Sequence, residues 1–486
     1  MIRTGSIRLR HKNLFRKLSP STSHLHHINE FHSTSKREIL PIIGLALAAV
    51  TVRYSYRAVV RMEEEWDEYE RELRDFKSSS PPSKSSPSSA ATFQGLMGVD
   101  LGTTNLRVAY QNLSRPESRP NVIENRDGSR STPAFLRHGG NDSSVGNMAR
   151  DKRYELPGDV SNPRDLLSRN GDDAMDVTHD VLRPILRDAL DKTTGTRVGD
   201  NGDDAVLFGL VSGLPVRPAF TFAGGDAVPS PQFVTAVNRL CEPALPVFVP
   251  EAVAVRIAAR RFGLTTTAAA AKGSSEMDVV IDVGGTTTSF SIVNDEEVIY
   301  RRSISFGGES VRDALVSMLS RGFFSGGNRA DGMATQRLHD AAEGAIKELT
   351  TKTRSEISVP FLSVDEKMQP RHLERGVSRE VLRQEVNSVV KETQLGLEGC
   401  EDVPSAMAAL FMKGMEESGV NPFTPTLGNV IVVGGGIRSH ILREGVKEGI
   451  TRICGDHFVR DKLIIVEGEM CEELTVMGAV LYANEE

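Results

Sequence analysis

Three stretches of the chain share one pattern, a continuous apolar run that stops at a cluster of small residues. The first, residues 93–110, reads FQGLMGVDLGTTNLRVAY. Its apolar positions predict a buried strand up to Asp100, a tight turn through Gly102-Thr103-Thr104, and a second strand from Leu106 to Tyr110. The second, MDVVIDVGGTTTSFSIV at 277–293, repeats this design with Asp282, Gly284-Gly285 and Thr286-Thr287. The third, GNVIVVGGGIRSHILREGVKEGI at 428–450, predicts a strand ending at Gly434-Gly435-Gly436 and then a helix that carries Arg438. Two strand–turn–strand units of the same kind predict two similar lobes facing one ligand.

The pattern changes before residue 93. Ile39 to Val52 is an uncharged run of 14 residues, shorter than the roughly 20 needed to span a bilayer. Extended to Val60 it reaches spanning length and takes in Arg53 and Arg57, which near a helix end reach back to the headgroups. Residues 38–60 therefore read as a single membrane anchor, with a signal h-region or an internal transit element as alternatives. Residues 1–37 are rich in Arg, Lys and Ser and hold one acid, Glu30. That is the composition of a targeting segment, the alternative being a basic tail. Together they place the protein at the mitochondrial inner membrane, with an endoplasmic reticulum anchor as the runner-up. Residues 61–76 read as a solvated acidic helix, with Glu68 and Arg71 at helical spacing. Residues 77–92 are a Ser/Pro-rich linker that cannot bury a core.

Composition narrows the chemistry. The formal net charge of -7 gives no footprint for nucleic acid. Cys241, Cys400, Cys454 and Cys471 form no CxxC pair, which argues against a disulfide framework or a zinc site and for buried free thiols. Turns of small residues bare backbone N–H groups to phosphate oxygens, and threonine hydroxyls add donors. An aspartate at the strand end can hold water around Mg²⁺. The third glycine loop can lie flat against a base or ribose, with an arginine to stack on it. No GxxxxGK[ST] occurs, and no GxGxxG opens a helix, so neither a Walker A loop nor a dinucleotide fold is indicated.

With these motifs in this order, residues 94–486 resemble the nucleotide-binding domain of the heat-shock protein 70 family. MGVDLGTTNLRVAY is similar to the family's first phosphate motif. VIENRDGSRSTPAFL (122–136), SVGNMA (144–149) and SGLPV (212–216) resemble the segments that follow. FGGES (306–310) resembles its Leu-Gly-Gly-Glu turn, RLHDAAEGAIKELT (337–350) its adenosine helix, VVGGGIR its adenosine loop and ELTVMGAV (473–480) its closing helix. The resemblance implies an α/β protein of the actin-like ATPase (ribonuclease-H-like) fold, in which two lobes with mixed five-stranded sheets close around a nucleotide cleft. Lobe I would be 93–279, lobe II 280–470, and 471–486 a closing helix returning to lobe I.

It also implies ATP and Mg²⁺ as ligands. Asp100 and Asp282 would hold the hydrated metal and the attacking water. Gly102, Thr103, Thr104 and Asn105 would bind phosphates from one lobe, and Gly284, Gly285, Thr286 and Thr287 from the other. Thr287 would also place the γ-phosphate or the water, and Glu251 would act on the metal through water. Glu343, Lys347 and Thr350 would face the adenosine, and Gly434, Gly435, Gly436 and Arg438 would cover the base.

The sequence departs from the family in the catalytic parts. Arg164, in SNPRDLLSR, takes the place of the family's catalytic lysine. Thr286 replaces the third glycine of the second loop, and Ser289 its last aspartate. Ile346 replaces a lysine of the adenosine helix, and Pro250-Glu251 reverses the Glu-Pro order. These changes imply weak hydrolysis of ATP to ADP and phosphate, with binding retained. The chain stops at Glu486, so the family's peptide-binding domain is expected to be absent, and client-peptide binding with it. An N-terminal leader plus an ATPase domain is similar in layout to the microsomal stress-70 core ATPases. The expected function is a slow, chaperone-like ATPase served by J-domain proteins or nucleotide exchange factors. The alternative is a non-catalytic nucleotide switch or co-chaperone scaffold. A sugar kinase on the same fold is disfavoured by the FGGES turn and the 337–350 helix.

Overall fold

In the computed structural model the chain divides after Ala90, and Ala91–Glu486 forms a compact unit. The structure describes residues 95–485 except 138–143, 155–159, 162–181, 190–191, 194–215, 224–228, 230, 242–245, 266–275, 322, 325–331, 365–368 and 394. The targeting segment, anchor, acidic helix, linker and Arg164 all lie outside the described residues. Among the described residues no helix is long and apolar enough to cross a membrane.

The apolar runs become the central strands of two sheets. β1 (Gly95–Leu101), β2 (Asn105–Asn112), β3 (Asn121–Val122) and β4 (Thr132–Pro133) begin the first sheet. β5 (Leu136–Arg137), β6 (Ser144–Val145) and β7 (Val160–Ser161) form a small sheet of their own. β8 (Val216–Phe222) and β9 (Val247–Pro250) complete the first sheet in the order β3-β2-β1-β8-β9. β4 pairs with the start of β2, so this sheet has six strands and not the expected five.

The second sheet repeats that order with β10 (Met277–Val283), β11 (Thr288–Asn294), β12 (Glu297–Ile304), β15 (Leu427–Val433) and β16 (Leu463–Ile465). It runs β12-β11-β10-β15-β16. In each sheet an antiparallel hairpin is followed by two parallel strands. β13 (Arg354–Val364) and β14 (Pro370–Ser378) make a separate ribbon. All seven positions of β1 and of β15 are buried, as expected where both faces of a mixed sheet are covered.

The helices of the described residues include α1 (Asn147–Arg150), α2 (Pro231–Cys241), α3 (Glu251–Arg261), α4 (Gly308–Ser320), α5 (Gly332–Thr351), α6 (Arg379–Glu392), α7 (Val403–Ser418), α8 (His440–Lys462) and α9 (Met470–Glu485). α8 is interrupted at Gly455, whose φ is 81°. α9 reaches back to the first sheet and to α3 through glycines. A Cβ at Gly98 would lie 2.5 Å from the Val476 carbonyl oxygen, and one at Gly478 would lie 1.9 Å from that of Ala254. Only backbone without side chains fits at these two crossings. Of the cysteines, all free, Cys241 and Cys471 are buried but Cys400 and Cys454 are half-buried. The expectation of four buried thiols therefore holds for two.

Candidate nucleotide-binding site

The two glycine turns are closed by the same hydrogen bond. The Gly102 N–H donates to the Asn105 carbonyl at 3.0 Å, and the Gly284 N–H donates to the Thr287 carbonyl at 2.8 Å. Their strand ends also match. Asp100 stands opposite Arg107 in the first hairpin, and Asp282 stands opposite Ser289 in the second. Directly opposed residues of an antiparallel pair share a face, so each hairpin presents one aspartate and one partner side by side.

The turns meet across the cleft. A Cβ at Gly285 would lie 2.3 Å from Thr104 Oγ1, so glycine is what lets them approach. Asp100 is buried and accepts a hydrogen bond from Thr221 Oγ1 at 2.7 Å. The second turn is braced from behind by the first turn of α4. The Gly308 N–H donates to the Gly284 carbonyl at 3.0 Å, and the Glu309 N–H donates to the Gly285 carbonyl at 2.7 Å. The FGGES motif thus holds the turn in place.

The third loop packs against the second hairpin. Gly434 has φ of 98°, and its N–H donates to the Cys471 carbonyl at 2.8 Å. The following Gly435–Arg438 forms a 3-10 turn, and α8 begins only at His440. Arg438 therefore precedes the helix that was expected to carry it. The extended conformation of Ser439, with ψ of 121°, separates the two. The Arg438 guanidinium donates to Glu472 at 3.0 Å, and its carbonyl accepts from Thr350 Oγ1 at 3.1 Å.

These parts enclose a cavity of about 360 Å³, within the size range of small-molecule sites. The first hairpin contributes Asp100, Gly102, Thr103, Thr104 and Asn105, and the start of α3 contributes Glu251. Asp282, Gly284, Gly285 and Thr287 come from the second hairpin. Gly434, Gly435, Gly436 and Arg438 come from the third loop. Glu343, Ile346, Lys347 and Thr350 line the wall from α5, at the spacing of one helical face. Thr286, half-buried in its turn, is not among the lining residues.

Several wall residues were not foreseen. Arg107, Arg150, Arg301 and Arg312 reach the cavity, as do Glu309 and Glu472. Arg107 was within reach of the sequence, because the hairpin register sets it beside Asp100. Ser289 also reaches the wall, beside Arg301. The two share a narrow recess with Glu251, Asp282 and Ser291. Burial pushes the Cys471 thiol up to about 12, so at neutral pH it is an inert part of the wall.

A clasp joins the segment after α1 to α5. The Tyr154 ring stacks on His339 with centroids 4.4 Å apart, and its hydroxyl lies 3.1 Å from His339 Nδ1. Burial chiefly, then Arg312 and Arg153, lowers the His339 pKa from 6.5 to about 4, while Asp313 opposes them. The folded clasp holds neutral histidine, whereas the unfolded chain binds the proton more readily. Stability from this contact is complete above 6.5 and is lost as the pH falls towards about 4. Thermal melting across that window should show the loss, and His339→Phe should flatten it. An unchanged profile in the variant would mean that the clasp does not sense pH.

A family model described as Hsp70 protein matches residues 96–169 and 251–454. The chain belongs to the Hsp70 family. It is an ATP-binding protein of the Hsp70 chaperone type with the actin-like ATPase fold. Residues 170–250 lie outside the matched segments, yet β8 and β9 from that stretch complete the first sheet.

The wall suits the Mg²⁺·nucleotide that Hsp70 proteins bind. The turns are cradles that a Cβ would fill, and a carboxylate stands at the end of each. Among the described residues no group of three or more His, Cys, Asp or Glu side chains could hold a metal ion. Mg²⁺ is characteristically held by one or two carboxylates plus waters and substrate phosphates, and Asp100 and Asp282 supply that number.

Proposed function

We propose that the cleft binds ATP with Mg²⁺ and hydrolyses it slowly. The observation that carries this reading is the duplicated hairpin. Two turns with the same closing hydrogen bond, each preceded by an aspartate, face one cavity, and a glycine loop packs on one of those aspartates. Bared amides of the two turns and the hydroxyls of Thr103, Thr104 and Thr287 donate to the phosphate chain. Asp100 and Asp282 would hold the metal through water. When bound, Mg²⁺ neutralises the charge on the phosphates. Such catalysis is mainly placement of a water and stabilisation of developing charge. Ser289 supports slow turnover, because a serine beside Asp282 brings no second carboxylate to that hairpin.

The same serine favours a second reading, a nucleotide switch that closes on ATP without turnover. Titration of the full-length chain with ATP, followed by single-turnover phosphate release, separates the two. Mg²⁺-dependent binding followed by phosphate release above background supports the enzyme. Tight binding with ATP recovered intact leaves the switch. Failure to bind ATP overturns both.

We further propose that residues 38–60 tether this ATPase to a membrane, the mitochondrial inner membrane before the endoplasmic reticulum. J-domain proteins or exchange factors would be its partners. The support is the acid-poor leader and the apolar run that follows it. Imaging of residues 1–91 fused to a reporter tests the location, and a diffuse cytosolic signal would reject it.

A further inference from the structure

Arg107 carries a charge that the nucleotide reading leaves without a task. It stands opposite Asp100 on β2, lines the cavity, and has a side chain only 9% exposed. A charge so far from water needs a partner. Its guanidinium pairs with Glu472, in the first turn of α9. Glu472 is itself only 16% exposed, and its other oxygen accepts from Arg438 of the third loop. One carboxylate thus holds an arginine beside the phosphate turns and an arginine beside the base loop. Two guanidinium groups share this one carboxylate, and both line the cavity. The equivalent position of the second hairpin is Ser289, which is neutral. Of the two matching positions, only the first hairpin's carries a cation.

We propose that Arg107 is a phosphate-binding residue of this site and that Glu472 is the positioning residue that sets both Arg107 and Arg438. The proposal rests on the reading of the cleft as an ATP site. Arg107 lies beside Asp100, where a phosphate chain threading the two turns passes. Its planar fork matches two phosphate oxygens at once. Glu472 holds it in that pose before the ligand arrives, so less side-chain freedom is lost on binding. Because Glu472 also anchors Arg438, it couples recognition of the phosphates to recognition of the base.

The test is the affinity of the full-length chain for ATP, ADP and adenosine, measured by calorimetry. Arg107→Met should weaken ATP and ADP about tenfold or more while adenosine changes less than about twofold. Arg107→Lys keeps a charge but loses the fork and should fall between wild type and Arg107→Met. Glu472→Gln should weaken adenosine as well, because it releases Arg438. A purely structural role for the pair would lower all three ligands in parallel with the melting temperature. Equal losses for ATP and adenosine, or no loss for ATP, would overturn the proposal. Should Arg107→Met fail to fold, the ATP-to-adenosine ratio of Arg107→Lys decides instead. Absence of ATP binding in the wild type would defeat the site itself and is distinct from both results.

Discussion

Asp278→Ala should cost the folded core about 3–5 kcal/mol, the range for breaking a buried ion pair by removing one partner. Asp278 is fully buried. Its Oδ2 accepts from Arg256 Nε at 2.8 Å and from the Arg260 guanidinium at 2.9 Å. Its Oδ1 accepts from the Asn429 N–H at 2.8 Å. One carboxylate therefore fastens α3 to β10 and β15. Alanine would leave the Arg256 guanidinium, which is only 2% exposed, with the carbonyls of Glu276 and Asp295 and a longer contact to the Asp295 carboxylate at 4.0 Å. The midpoint of urea unfolding should fall steeply. Asp278→Asn should lose less, because it keeps an oxygen for Asn429. A midpoint unchanged in Asp278→Ala would show that this network adds nothing to stability.

Gly434→Ala should weaken ATP binding by about a hundredfold, or roughly 2.7 kcal/mol. Two costs combine there. With φ of 98° the position disfavours any L side chain. A Cβ would also stand 2.2 Å from Asp282 Oδ1 and 2.4 Å from the Val283 carbonyl oxygen. Either the base loop retreats or the aspartate leaves its place, and both damage the cavity. Gly455→Ala is the control. It too has positive φ, 81°, but nothing lies within 4 Å of its Cβ position. Strain alone should cost it about 1–3 kcal/mol of stability and leave ATP affinity unchanged. Equal ATP affinity in Gly434→Ala and wild type would remove the third loop from the binding site.

Much of this site is legible along the chain because its parts are local. An apolar run ending in Asp-Leu-Gly-Thr-Thr or Asp-Val-Gly-Gly-Thr states both the burial of the strand and the need for a tight turn. Glu343, Lys347 and Thr350 fall on one helical face, and the helix period alone brings them together. What the chain conceals depends on where distant elements cross. Arg107 and Glu472 are 365 positions apart, and no periodicity links a strand residue to the first turn of α9. The position of Arg438 escaped for a related reason. A triple glycine announces a turn but not whether a 3-10 turn or an α-helix follows, and Ser439 settles that through its own backbone. β4 is too short for any alternation to register. Ser289 could be read as a change of residue type, but Arg301, which shares its recess, stands opposite Ser291 on β12, whose register only the folded sheet sets.

The brace behind the second turn has a mechanical side. At its first turn α4 is pinned to the carbonyls of Gly284 and Gly285. One turn further on, Asp313 of the same helix lies 3.7 Å from His339 of the aromatic clasp. The helix has 13 residues, a rod about 20 Å long. A rod gripped beside the phosphates and touching the clasp can neither stretch nor bend cheaply. A shift of the turn is thus passed along a stiff helix to the carboxylate that faces His339, at the rim of the cleft.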